Sequence, residues 1–387
     1  MKRDPSVAVA VRPLRVAMVT DTYHPSANGV VRSVETTAHA LRALGVDVTL
    51  FAPGTRRAPA EPGVRWVMAF ESRVYPQLHL PVAPLLPTRL RRFDVLHVHT
   101  PGALGLAALV AARALGRPCV YTYHTRFEEL LHFVSSSALA ERGSEEVNRQ
   151  VLRAASAVIA PTDAIARELR AQFEIASEVI PTGVDARFFA PHAAKGPPRF
   201  LHLGRVSPEK GLDAVLRAFP LVLRERPDAR LDVAGSGPDL AGCQALAREL
   251  GLAGAVRFLG FVPDEQVPAT YASADVFVTA SRFETQGLTV LEAMAGGCAV
   301  ALADCDVFRP FVDAGAAVPF DPARPGDVAR ALLDALDRRD ALRERGLALA
   351  RTMSVETSAA RLLALYQRLA DAAPERRRVR RRIGWSR

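Results

Sequence analysis

Runs of consecutive apolar residues alternate along the chain with segments whose apolar positions recur every three or four residues. "LRVAMVT" (14–20) is of the first kind and "GVVRSVETTAHALRALG" (29–45) of the second. The first predicts a buried strand. The second predicts an amphipathic helix closed at Gly45, a residue suited to the left-handed turn that ends many helices. "VDVTLFAPG", "FDVLHVH" (93–99), "PCVYTYH" (118–124) and "SAVIAP" (156–161) continue the strand series. The pattern then restarts. "PRFLHLG" (198–204), "ARLDVAGSG", "AVRFLG", "ADVFVTAS" and "CAVALAD" are strand-like, with helical segments between them. Strands that alternate with helices build parallel sheets covered by helices on both faces. Between the two series lies "PTGVDARFFAPHAAKGPP" (181–198), whose Pro and Gly content reads as a linker. The expectation is an α/β chain of two Rossmann-like domains, residues 1–185 and 186–353, with a cleft between them. Ligands are then expected beyond the carboxyl ends of the strands.

Composition narrows this picture. The chain has 387 residues, 49% of them hydrophobic, enough for two or three domains with sizeable cores. No run of about 18 uncharged apolar residues occurs, so no transmembrane helix is expected. The apolar stretch near the start is broken by Arg12 and Arg15 and leads into a strand, so a cleaved signal peptide is not expected. Cys119, Cys243, Cys298 and Cys305 lie far apart, without metal-ligand spacing, and read as free thiols of a reducing cytoplasm. Much of the net charge of +9 sits in "PERRRVRRRIGWSR", which carries seven arginines and one glutamate.

Four loops carry candidate chemistry. "GRVSPEKG" (204–211) follows a strand and opens a helix. Gly204 lets the backbone turn, and Arg205 and Lys210 add two cations, an arrangement suited to a pyrophosphate. The alternative is a turn with surface charges. In "SRFETQGLTVLEAMAGG" (281–297), Gly287 opens a helix, and Leu288 and Thr289 offer backbone N–H groups to a phosphate. Glu284 and Glu292 would repel that phosphate, so sugar hydroxyls are their natural partners. Here the alternative is one capping and one exposed carboxylate. "TDTYHPSANGVVRS" (20–33) places Asn28-Gly29 at a helix start, where a backbone can approach a ligand closely. It is not a dinucleotide fingerprint, and neither is "GSGPDL". His124 ends a strand and can hydrogen-bond a reacting sugar or serve in the fold alone. His97 and His99 alternate on one strand and read as packing or supporting residues. "DCD" (304–306) is short and carries no metal assignment.

At these residues the sequence resembles glycosyltransferase family 4, retaining enzymes of the GT-B fold, from residue 14 to about 370. The resemblance rests on Asn28-Gly29-Val30, "YHT" at 123–125, the "GRxxxEKG" loop, "VRFLGFVPDE", and the Glu-x7-Glu pair with "EAMAGG". It implies that Arg205 and Lys210 neutralise the donor pyrophosphate, Glu284 contacts the hexose and Glu292 the ribose. It also implies that the backbone near Val262 borders the base, Gly29 approaches the donor phosphate, and His124 touches the sugar. No divalent metal and no cofactor are implied, the nucleotide-sugar being a substrate. The helix expected over 354–373 would return to the first domain, leaving a basic tail at 374–387.

The stretches at 20–53 and 122–133 look most like those of bacterial enzymes that glycosylate membrane lipids, namely diacylglycerol glucosyltransferases and phosphatidylinositol mannosyltransferases. The implied activity is hexose transfer from UDP-glucose or GDP-mannose to a lipid. The rivals are a polysaccharide or lipopolysaccharide precursor as acceptor, a sugar-nucleotide 2-epimerase, and a binding module without turnover. Arg89, Arg91 and Arg92 in "PLLPTRLRRFD" (84–94), with the arginine-rich tail ending near Trp385, suit an anionic membrane surface. Peripheral attachment at the inner face of the cell membrane is therefore expected. No aromatic-interleaved groove points to nucleic acid.

Overall fold

The computed structural model describes residues 12–24, 29–54, 60–71, 79–81, 87–124, 138–189, 192–194 and 196–382. Asn28, the segment 125–137 and Trp385 lie outside them. The chain divides into two compact units. Met1–Ala160, Leu169–Ile180 and Ala359–Arg387 form the first; Pro161–Glu168 and Pro181–Ser358 form the second. The sequence reading put its division after residue 185.

The first unit holds one sheet of eight strands: β1 (Arg15–Val19), β2 (Asp47–Gly54), β3 (Val64–Glu71), β4 (His79–Pro81), β5 (Val95–Val98), β6 (Cys119–Thr122), β7 (Ala157–Ala160) and β8 (Glu178–Val179). Their order is β4-β3-β2-β1-β5-β6-β7-β8. Val16, Ala17, Met18 and Val19 are wholly buried. That explains why β1 reads as an unbroken apolar run: a central parallel strand is covered on both faces. The pattern did not single out β3 and β4, and β4 pairs with β3 antiparallel, Ala69 opposite Pro81. At three residues β4 is too short to show a period of its own, and Pro81 suits the edge that it occupies.

The second unit holds β9 (Arg199–Leu203), β10 (Arg230–Ala234), β11 (Val256–Gly260), β12 (Val276–Thr279), β13 (Ala299–Ala303) and β14 (Val318–Phe320) in the order β11-β10-β9-β12-β13-β14. All its pairings are parallel. This is the doubly wound Rossmann order, which reverses between its first and fourth strands, here β9 and β12. One sheet face carries Phe200, Val233, Val278 and Ala301 into a core shared with the helix Leu212–Glu225. That helix buries Leu212, Val215, Leu216, Phe219 and Val222. The three-and-four spacing makes the stripe, and burying a side chain such as Phe219 contributes about 1.5–3 kcal/mol.

The last helix runs Val355–Arg382, and its part from Ala359 onward belongs to the first unit. The helical backbone thus extends nine residues beyond 373, into the stretch that the sequence reading assigned to the basic tail. Among the described residues, no helix is long and apolar enough to cross a membrane.

Candidate functional site

In the second unit the chemistry gathers where the strand order reverses. β9 leads into Gly204, with φ of 156°, and the loop is laced to the one after β10. Gly204 N donates to Ala234 O at 3.0 Å and Val206 N to Ser236 O at 3.0 Å. A Cβ on Gly235 would stand 1.8 Å from Gly204 O, so only glycine fits there. The loop then makes a single turn, Pro208–Lys210, closed by Gly211 with φ of 65°. This turn presents Lys210.

β12 leads into residues 281–287, the other half of the cluster. Lys210 Nζ donates to Glu284 Oε1 at 2.6 Å, joining residues 74 apart in sequence. Both side chains are mostly buried. The two loops meet because β9 and β12 are neighbours: a Cβ on Gly211 would stand 2.9 Å from Ala280 O. The loop around Glu284 is clamped. Gln286 Nε2 donates to Thr182 O at 2.6 Å, and Thr182 N donates to Gln286 Oε1 at 2.8 Å. Thr162 Oγ1 donates to Thr285 O at 3.1 Å. A rigid loop holds a carboxylate in place at no further entropic cost when a ligand arrives.

Gly287 caps the helix Leu288–Ala295 in the left-handed conformation, φ 76°, and no side chain caps this end. A Cβ there would lie 2.3 Å from Phe308 Cε1, a second reason for glycine. The first N–H groups of a helix have no intrahelical acceptor and attract anions. Leu288 and Thr289, which carry them, are half-buried. Glu292, one turn on, is only 1% exposed and accepts a hydrogen bond from Tyr271 Oη at 3.1 Å. Arg205 is exposed and Val262 half-buried on the loop after β11. The sequence reading missed Tyr271 and Gln286. Neither stands in a recognisable pattern; each matters through a partner far along the chain.

In the first unit the order reverses between β1 and β5. Asp21, just past β1, accepts from Leu104 N at 2.7 Å, Gly105 N at 3.1 Å and Thr100 Oγ1 at 2.8 Å. It thereby caps the helix Ala103–Leu115 and ties the loop after β1 to the one after β5. Burial raises its carboxyl above the usual range, against the pull of these bonds. Gly29 opens the helix Gly29–Ala43 and is exposed, with open space where a Cβ would stand.

His124, at the end of β6, belongs to a ladder of imidazoles. His99 Nδ1 and His124 Nε2 are 2.9 Å apart. His97 lies against His99 with ring centroids 4.0 Å apart and ring planes tilted by 37°. His97 Nδ1 meets Tyr366 Oη at 2.6 Å and its Nε2 meets Thr122 Oγ1 at 2.6 Å. Burial drives His97 down to about 3, His124 to about 4, and His99 well below its ordinary value, so all three are neutral at pH 7. In "DCD", Asp304 pairs with Arg309 at 2.6 Å. Among the described residues no group of three or more His, Cys, Asp or Glu is arranged to hold a metal.

Comparison with known proteins adds to this geometry. Residues 27–188 match the family model Glycosyltransferase Family 4, and residues 184–348 match Glycosyl transferases group 1. The alpha-monoglucosyldiacylglycerol synthase of Streptococcus pneumoniae is 32% identical over 316 residues, covering 74% of this chain and 70% of that one. The phosphatidyl-myo-inositol mannosyltransferase of Mycobacterium tuberculosis is 34% identical over 299 residues, covering 72% and 75%. Among solved structures, sucrose-phosphate synthase from Thermosynechococcus elongatus superposes with a TM-score of 0.74 at 21% identity, over 93% of this chain and 100% of that one. The last likeness is one of fold.

Proposed function

The chain belongs to glycosyltransferase family 4, has the GT-B fold and is a glycosyltransferase; from that premise we propose that it transfers a hexose, with retention, from a nucleoside-diphosphate sugar to a membrane lipid. The observation that carries this reading is the Lys210–Glu284 pair beside the uncapped start of the helix Leu288–Ala295. A departing diphosphate gathers negative charge as the glycosidic bond breaks. Lys210, Arg205 and the N–H groups after Gly287 stabilise that charge in the transition state. Glu284 has two tasks. It holds Lys210 in position and takes the hydroxyls of the hexose. Glu292, fixed by Tyr271, takes the ribose, and the backbone near Val262 borders the base. Gly29 and His124 complete the donor's ligands. No step calls for a metal or cofactor.

The named relatives are a monoglucosyldiacylglycerol synthase and a phosphatidyl-myo-inositol mannosyltransferase, which supports a lipid acceptor. The first unit also exposes apolar side chains, Phe70 at 66% and Val110 at 70%, together with Arg89, Arg91 and Arg92. Such a surface suits peripheral attachment to an anionic leaflet on the cytoplasmic side, at about 1 kcal/mol per arginine near the membrane. Deleting residues 375–387 is expected to weaken binding to anionic liposomes while sparing transfer to a soluble acceptor analogue. Unchanged liposome binding removes the tail from this role.

The function itself is tested by incubating UDP-glucose and GDP-mannose separately with enzyme and lipid extract, then weighing the products by mass spectrometry. A lipid gaining one hexose is the expected result. A product only with polysaccharide or lipopolysaccharide precursors would move the acceptor, and conversion of donor alone would mark an epimerase.

A further inference from the structure

We propose that His99 is a positioning residue that fixes the tautomer of His124: the Nδ1–H of His99 donates to Nε2 of His124, so that neutral His124 carries its proton on Nδ1. The inference rests on the reading above that His124 meets the sugar.

Two imidazole nitrogens 2.9 Å apart share one proton, so one ring donates and the other accepts. The direction follows from the far side of His99. Its Nε2 is buried and has no hydrogen-bond partner. If His124 were the donor, the proton of neutral His99 would sit on that Nε2 as an orphaned N–H. Orphaned buried N–H groups are rare in folded proteins, because the water they leave is not replaced. In the opposite arrangement only a bare ring nitrogen is left without a partner, which is tolerated more readily. A doubly protonated ring would escape the choice, but burial keeps both rings neutral.

The ladder beneath holds the donor in line. His97 and His99 stand on the same side of β5, and Thr122 and His124 continue on β6, as the period of two requires. Tyr366, from the helix Val355–Arg382, and Thr122 occupy both nitrogens of His97, which sets its ring plane. The ring of His99 lies against that of His97, centroids 4.0 Å apart and planes tilted by 37°. The C-terminal helix therefore reaches His124 through two rings. The consequence is chemical. With Nε2 accepting from His99, the single N–H of neutral His124 lies at Nδ1, so that toward the sugar assigned to it above His124 is a donor and not an acceptor. It acts at neutral pH as a hydrogen-bond donor that orients, and no proton leaves it.

The test is direct. Full-length protein labelled with 15N in its histidine rings is examined by NMR, the His124 signals being those lost in His124→Ala. A protonated Nδ1 with a bare Nε2 is expected; a protonated Nε2 on His124 overturns the proposal. Two variants then separate chemistry from packing. His99→Asn keeps an amide N–H close to the original donor and should keep the His124 tautomer. His99→Asp offers an acceptor instead and should move the proton of His124 to Nε2. Turnover of UDP-glucose or GDP-mannose should be about tenfold or more higher in the Asn than in the Asp variant, the worth of one good hydrogen bond. An Asp variant whose His124 keeps Nδ1–H also overturns the proposal, and if that variant fails to fold the wild-type spectrum decides alone. Should the tautomer be as stated while His124→Ala turns over normally, the tautomer stands and the assignment of His124 to the sugar falls.

Discussion

The two units solve the same topological problem with opposite chemistry. Each gathers its candidate residues where the strand order reverses, at β1/β5 in the first unit and β9/β12 in the second. The second unit places fixed charge there, Lys210 on Glu284, beside a helix start that no side chain caps. The first unit places neutral imidazoles there, kept neutral by burial and hydrogen-bonded to one another. A diphosphate leaving group calls for cations and N–H groups; sugar hydroxyls are met by carboxylates such as Glu284 or by neutral oriented groups such as these imidazoles. The contrast teaches that the fold supplies the location and the local dielectric decides what a residue placed there can do.

The sharpest way to break this comparison is with pH. Unfolded histidine titrates near 6.5, whereas His97 and His124 titrate near 3 and 4 when folded, and His99 also lies far below its ordinary value. Between pH 7 and 5 the unfolded chain binds protons that the folded one refuses, so stability falls as pH falls. Each fully neutral histidine is expected to cost about 2 kcal/mol over that window, about 6 kcal/mol for the three of the first unit. The second unit, with His202 held near 4 and His192 lowered less, loses less. Urea unfolding followed by the fluorescence of Trp66, which belongs to the first unit, reads this out; an unchanged midpoint between pH 7 and 5 removes the neutral ladder from the picture.

A second break is aimed at the charged side. Lys210→Ala should lower kcat by about a thousandfold, as losing one transition-state donor does, with circular dichroism unchanged. Normal turnover would leave the diphosphate without its assigned cation. Next in size, Glu292→Gln should weaken binding of the nucleoside diphosphate by about thirtyfold, since a charge-assisted hydrogen bond is lost. Tyr271→Phe removes only the partner that orients Glu292 and should weaken the same binding by about fivefold. Isothermal titration distinguishes the two, and equal effects would mean that Glu292 serves the fold through Tyr271 alone.

Much of this was legible in the sequence for a physical reason. β1, β9 and β12 are buried on both faces, so their composition alone marks them, and the helix Leu212–Glu225 shows its stripe at every turn. β4 was not singled out, because a three-residue antiparallel edge leaves little periodic signal, and β3, parallel to β2, was not because it alternates buried Val67 and Ala69 with exposed Met68 and Phe70 instead of forming an unbroken apolar run. At the site, Lys210, Glu284 and Gly287 stood out by residue type and position after strands. Their pairing did not. Gln286 reaches Thr182, Tyr271 reaches Glu292, and Tyr366 reaches His97, contacts between residues that no local pattern links.

By itself the sequence determined the alternation of strand and helix, the loops that carry cations and carboxylates, and the glycines that turn them, since each depends on neighbours within a few positions. The tertiary structure alone decided that Lys210 grips Glu284, that Glu292 is buried against Tyr271, and that three histidines share one dry face and stay neutral. Those properties depend on which strands lie side by side and on how little water reaches them, and burial is a property of the assembled fold rather than of any segment of the chain.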